Sequence, residues 1–196
     1  PNISDVAVEK MDTSTNEIMD FLVDPNLPGP WDKRGMVKGY VQSGKTMSYC
    51  GLINKALDVG YRFIIVLSGR ANDLRAQTQM RIDADVIGLD SEAKSRNEIK
   101  YIGVGEHNDE ALRKLRVNTA TTILKDFNKQ MAIQNGLRDP GKGFILVMKK
   151  NVSILRNTLN FIQQNWPDPD ADVLVEASDK NDNTELKSID LCPLLL

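Results

Sequence analysis

Two uninterrupted apolar runs, Phe63 to Leu67 and Phe144 to Met148, constrain the fold of this chain more than any other feature. Neither shows the alternation of a half-buried strand, and each is far shorter than the ~20 residues that cross a bilayer. A short β-rich run of this kind is a strand covered on both faces, the situation inside a parallel sheet. Helical patterns follow both runs. Asn72 to Asp83 reads as a polar helix capped by Asn72, and Val152 to Gln164 places Ile154, Leu155, Leu159 and Ile162 on one face. Strands that alternate with helices require crossovers, so the expected architecture is a three-layer α/β domain built on a mainly parallel sheet.

Ser14-Thr15-Asn16-Glu17 has the form of a capping box and predicts a helix from Ser14 to Val23, ended by Asp24-Pro25. Asn26 to Trp31 is a Pro/Gly-rich connector, and a short strand is expected from Gly35 towards Val41. A helix starting at Lys45 would align Tyr49, Leu52, Ile53 and Ala56 and stop at Gly60. Gly88 to Asp109 reads as loop with a short strand at Tyr101 to Val104. Leu112 to Gln134 reads as mainly helical, with Val117-Asn118-Thr119 as its weak point. Trp166 to Lys187 is an acidic linker or surface loop, and Leu191 to Leu196 has the look of a buried strand beginning. Residues 1–28 therefore form a helix and connector ahead of one lobe, 29–196, which is expected to be incomplete at its C-terminal end.

Chemistry is narrowed by what the chain lacks. Its 196 residues carry a net charge of −2, so the surface as a whole is no trap for nucleic acid. Cys50 and Cys192 form no C-x-x-C pair, and His107 is the single histidine, in a polar stretch that reads as solvated loop. Zinc clusters and cysteine or serine triads lack parts unless His107 serves. With no apolar leader before the first helix, a reduced, cytoplasmic protein without membrane partners is the expectation.

One motif carries chemistry. Gly39-Tyr40-Val41-Gln42-Ser43-Gly44-Lys45-Thr46 matches G-x-x-x-x-G-K-[ST] at every fixed position, after an expected strand and at the start of an expected helix. Gly39 and Gly44 allow the backbone to curl so that N–H groups, including those of Gln42 and Ser43, point at a phosphate. Lys45 would place an ammonium between the β- and γ-phosphates, and the Thr46 hydroxyl can ligate Mg²⁺. ATP with Mg²⁺ is the expected ligand. Hydrolysis needs a further acid at the end of a neighbouring strand. Asp90 and Glu176 are poorly placed for that task, so no catalytic residue is assigned within the chain.

From Gly29 onward the sequence resembles the Z-one domain, a bacterial family of helicase-like ATPases associated with restriction-type endonucleases. The resemblance rests on Gly29-Pro30-Trp31-Asp32-Lys33-Arg34-Gly35, the Gly39 to Thr46 motif, Gly60 to Gly69, Asn72 to Gln79, Asp126-Phe127, Phe144 to Asn151 and Leu155-Arg156-Asn157. It implies a RecA-like P-loop lobe that binds ATP, acts on DNA and serves a nuclease domain or subunit. In that family the strand beginning here at Leu191 continues into an Asp-Asp-Glu-Ala-Asp motif, which would follow Leu196, so this stretch is expected to bind ATP with little turnover. Trp31 and Arg34 are candidates for stacking on adenine, although a connector tryptophan more often serves packing.

The charge distribution adds a second candidate surface. Between Lys33 and Arg81 there are nine basic residues against Asp58 and Asp73, whereas Asp168 to Asp190 is strongly acidic. Ser68-Gly69-Arg70 and Lys149-Lys150-Asn151 stand at strand exits, where charge and free N–H groups can meet nucleic-acid phosphates. Two other functions fit the same loop: a non-hydrolysing nucleotide-binding regulatory module, and a small P-loop phosphotransferase.

Overall fold

In the computed structural model the described residues are 4–27, 33–36, 45–107, 117–136, 143–165 and 194–195. The elements, in chain order, are α1 (Asp5–Phe21), α2 (Lys45–Asp58), β1 (Phe63–Ser68), α3 (Asn72–Ile82), α4 (Ser91–Ser95), β2 (Asn118–Thr119), α5 (Lys129–Gln134), β3 (Phe144–Lys149), α6 (Val152–Asn165) and β4 (Leu194–Leu195). A π-helical turn at Asp83–Ile87 prolongs α3, and Gly103–Glu106 forms a 3-10 turn.

The two apolar runs are the centre of the sheet. They pair in parallel from Phe63↔Phe144 to Ser68↔Lys149, with β2 outside β3 and β4 outside β1, both also parallel. The chain is thus α/β with an open parallel sheet. Both faces of the central strands are covered, as their unbroken apolar sequence requires. Ile64, Val66, Ile145 and Val147 pack with Cys50, Ile53 and Ala56 of α2 and with Ile82, Val86 and Ile87. Phe63, Phe144, Leu146 and Met148 pack with Ala132 of α5 and with Phe161 and Ile162 of α6. Gly60, at φ 108°, turns the chain between α2 and β1, a conformation that glycine adopts at least cost.

Several expectations are corrected. The first helix begins at Asp5, not Ser14, and Ser4 caps it by accepting the Ala7 N–H. Ser14 and Thr15 lie inside it, their hydroxyls donating to the Met11 carbonyl at 3.0 and 2.8 Å. A Ser-Thr pair that bonds back along its own helix imitates a cap in sequence. Thr15 is fully buried where α1 lies on α2, and Lys55 of α2 reaches Asp12 and Asn16 of α1. Asn72 does not cap α3. Ala71 holds that position with no side-chain bond, and the Asn72 side chain accepts from Lys149 instead.

The segment 101–104 is no strand. Tyr101 makes a single antiparallel bridge to Leu89 before the chain enters its 3-10 turn. Between residues 117 and 128 there is no helix either: Asn118 and Thr119 form β2, and only Lys129–Gln134 is helical. Threonines 119, 121 and 122 are all buried, and their hydroxyls bond within this segment while that of Thr121 accepts the Val147 N–H at 3.1 Å. A β-branched run that finds such partners gains nothing from helix formation. Gly35 and Met36 show no strand, and the rest of the expected strand to Val41 lies outside the described residues, as do 112–116, 166–187 and 191–193. Among the described residues, no helix is long and apolar enough to cross a membrane.

Candidate functional site

The first turn of α2 sits beside the C-terminal end of β1. Gly39, Gln42, Ser43 and Gly44 lie outside the described residues, as does the side chain of Lys45; the backbone of Lys45 opens the helix and Thr46 is half-buried one residue on. Thr46 and Tyr49 of α2 line an open depression of about 550 Å³, together with Gly69 after β1 and Leu74, Gln77 and Arg81 on one side of α3. That size is in the range of small-molecule sites, at the place where ligands bind to open parallel sheets: outside the carboxyl ends of the strands.

Electrostatics in the depression are quiet. Burial, with Cys50 adjacent, raises the Tyr49 phenol above its usual range, and its hydroxyl bonds the Thr46 side chain. Burial and the nearby Asp85 push the Cys50 thiol up to about 12, which leaves it protonated and unreactive. Arg81, largely exposed, pairs loosely with Asp85 at 3.9 Å. Among the described residues no group of three or more His, Cys, Asp or Glu could hold a metal ion. His107 is exposed, as its polar neighbours suggested.

The second candidate surface is brought together by register. Because Ser68 pairs with Lys149, the segments Ser68-Gly69-Arg70 and Lys149-Lys150-Asn151 leave the sheet side by side, at the N-termini of α3 and α6. Their side chains are unequally available. Ser68 is buried and donates to the Met148 carbonyl at 3.1 Å. Asn151 caps α6, its side-chain oxygen accepting the Ser153 and Ile154 N–H groups at 3.0 and 3.3 Å. The Lys149 ammonium donates to the Asn72 side chain at 2.8 Å, while Arg70 and Lys150 are exposed.

Sequence reasoning missed a buried polar seam on the opposite side of α3. Arg75, Gln79 and Asp83, four residues apart, are 3%, 0% and 0% exposed, whereas Leu74 and Met80 on the same helix are half-exposed. The apolar pattern therefore points the wrong way; the signal was the regular spacing of Arg, Gln and Asp. Asp83 accepts from Gln79 Nε2 at 2.8 Å and from both the hydroxyl and N–H of Ser91, at 2.6 and 3.1 Å. Arg75 bonds the Ile123 carbonyl and faces Asp126.

Burial raises the Asp83 carboxyl from 3.8 to about 6, against the pull of its hydrogen bonds from Ser91 and Gln79. The folded chain therefore keeps a proton that the unfolded chain has released. Its contribution to stability is fully present below the unfolded value and is lost as the pH rises through about 6. Asp83→Asn, which stays neutral throughout, is expected to flatten this decline, which amounts to about 3 kcal/mol between acid and neutral pH. Urea titrations of both proteins across that pH range check it; parallel curves would refute the assignment.

No family model matches the chain, and neither a curated protein nor a solved structure matches it.

Proposed function

We propose that this chain is the ATP-binding lobe, RecA-like with a three-layer P-loop fold, of a helicase-like ATPase that acts on DNA within a bacterial restriction or defence endonuclease system. The observation that carries the proposal is the start of α2 at Lys45-Thr46, inside a complete phosphate-loop motif, beside a depression at the carboxyl end of a parallel strand. A helix N-terminus in that position presents unpaired N–H groups and a favourable dipole to a polyphosphate. Lys45 supplies a charge that follows the β- and γ-phosphates.

Mg²⁺ fits this arrangement through one protein ligand. The Thr46 hydroxyl is half-buried on the first helical turn and borders the depression. Mg²⁺ characteristically takes its other ligands from substrate phosphates and water. When bound it would neutralise charge on the phosphates. The DNA part of the proposal is supported by the adjacent exits of β1 and β3, where exposed Arg70 and Lys150 stand beside two helix N-termini. Such groups contact the sugar–phosphate backbone without reading sequence.

Calorimetry with Lys45→Ala tests the nucleotide site. Loss of one charge–phosphate contact is expected to weaken ATP–Mg²⁺ binding by about 1.5–3 kcal/mol, with the melting curve unchanged. Equal affinity in the parent and the variant would overturn the proposal.

A further inference from the structure

Arg75 is an arginine almost wholly removed from solvent, and one of its contacts leads towards the exit of β3. Its Nη2 donates to the Ile123 carbonyl at 2.5 Å, and its Nε lies 3.8 Å from Asp126 Oδ2. Among the described residues, Nη1 has no partner. Asp126 is nearly as sheltered, with its side chain 14% exposed. Its Oδ1 accepts the Phe127 N–H at 3.0 Å, and Oδ2 accepts the main-chain N–H of Lys149 at 3.3 Å. One carboxylate thus joins a buried guanidinium to the peptide plane from which Lys149 and Lys150 leave the sheet. The Lys149 ammonium closes the circuit by donating to Asn72, on the first turn of the helix that carries Arg75.

A buried ion pair of this kind adds little stability over apolar side chains of similar volume, because desolvation offsets its attraction. What it does fix is position. The start of α3, the 123–127 segment and the end of β3 are all tied to the same two side chains. We infer that Arg75 and Asp126 are positioning residues, which hold the Lys149-Lys150 exit in the geometry that meets the DNA sugar–phosphate backbone. The inference rests on the DNA reading above and assigns the residues that shape that contact without touching it.

The test removes both charges together, Arg75→Met with Asp126→Leu, so that neither is left buried alone. Binding of a labelled duplex oligonucleotide, and of its single strand, is followed by fluorescence anisotropy over a range of salt. The double variant is expected to bind about tenfold more weakly and to lose about one to two units of salt slope, as Lys149→Ala with Lys150→Ala should. Its ATP affinity should match the parent's, and it should melt only modestly earlier, because the Phe127 and Lys149 N–H groups lose their acceptor while no charge is left buried alone. A folded double variant with the parent's affinity and slope, while the lysine variant loses both, would reduce the pair to a purely structural role. A parent that binds neither oligonucleotide would remove the DNA reading and this inference together. Amide exchange on the parent gives a measurement independent of folding in the variants: slowing of the Lys149 N–H on DNA binding supports the clamp, and no change overturns it.

Discussion

Asp126→Ala is expected to lower the unfolding free energy by about 3–5 kcal/mol, far more than an acid at the edge of a loop ordinarily contributes. The reason is the group left behind. Arg75 cannot lose its charge, is 3% exposed, and already has one nitrogen without a partner among the described residues. Removing Asp126 leaves a buried guanidinium with, among the described residues, the Ile123 carbonyl and the weaker attraction of Asp83 and Glu92. The Lys149 and Phe127 N–H groups lose their acceptor in the same step. Urea denaturation measures the effect, and Leu124→Ala, at a side chain 77% exposed, serves as control. A loss below about 1 kcal/mol would place Asp126 among ordinary surface pairs. Adding Arg75→Met to an Asp126 variant should restore much of the loss, because the unpaired charge goes with it.

The parts of this fold that could be read in the sequence are those where one physical effect dominates. Phe63–Ser68 and Phe144–Lys149 have both faces buried, so their apolar runs announce interior parallel strands without further help. Gly60 stops α2 because its φ of 108° suits no other residue as well. Where partners come from far along the chain, local pattern misleads. The beginning of α1 is set by Ser4 and by docking on α2 through Thr15 and Lys55, not by the Ser-Thr pair ten residues later. Residues 117–128 look helical in composition, yet their threonine hydroxyls bond each other and the neighbouring strand. The candidate surfaces divide in the same way. Parallel strands followed by helices suffice to bring Ser68-Gly69-Arg70 beside Lys149-Lys150-Asn151. Only the register shows that Ser68 is committed to Met148, and only the helix start shows that Asn151 is committed to α6. Arg75 escaped notice because burial of a charge depends on Asp126 and Ile123, about fifty residues away.

Gly105→Ala is expected to destabilise the chain by about 3 kcal/mol or more, the upper part of the range for overpacking. No side chain can yield here. A Cβ on Gly105 would run into the Gly88 carbonyl oxygen, and one on Gly88 would stand 2.7 Å from the Gly105 backbone. Two stretches of main chain are in direct contact, the end of the π-helical turn and the 3-10 turn after Tyr101. Separating them would strain the Ile102 N–H bond to the Gly88 carbonyl and the Asp90 N–H bond to the Lys100 carbonyl. Asp90 caps α4, whose first residue, Ser91, supplies two of the bonds to buried Asp83. The strain therefore reaches the polar seam behind α3, and from it the helix side that lines the depression beside Thr46. Gly35→Ala, with nothing within 4 Å of its new methyl group, should change stability by less than about 0.5 kcal/mol. Denaturation curves for both variants decide the matter: similar stabilities would mean that the Gly88–Gly105 approach is not held in solution, and that Asp83 is not braced from that side.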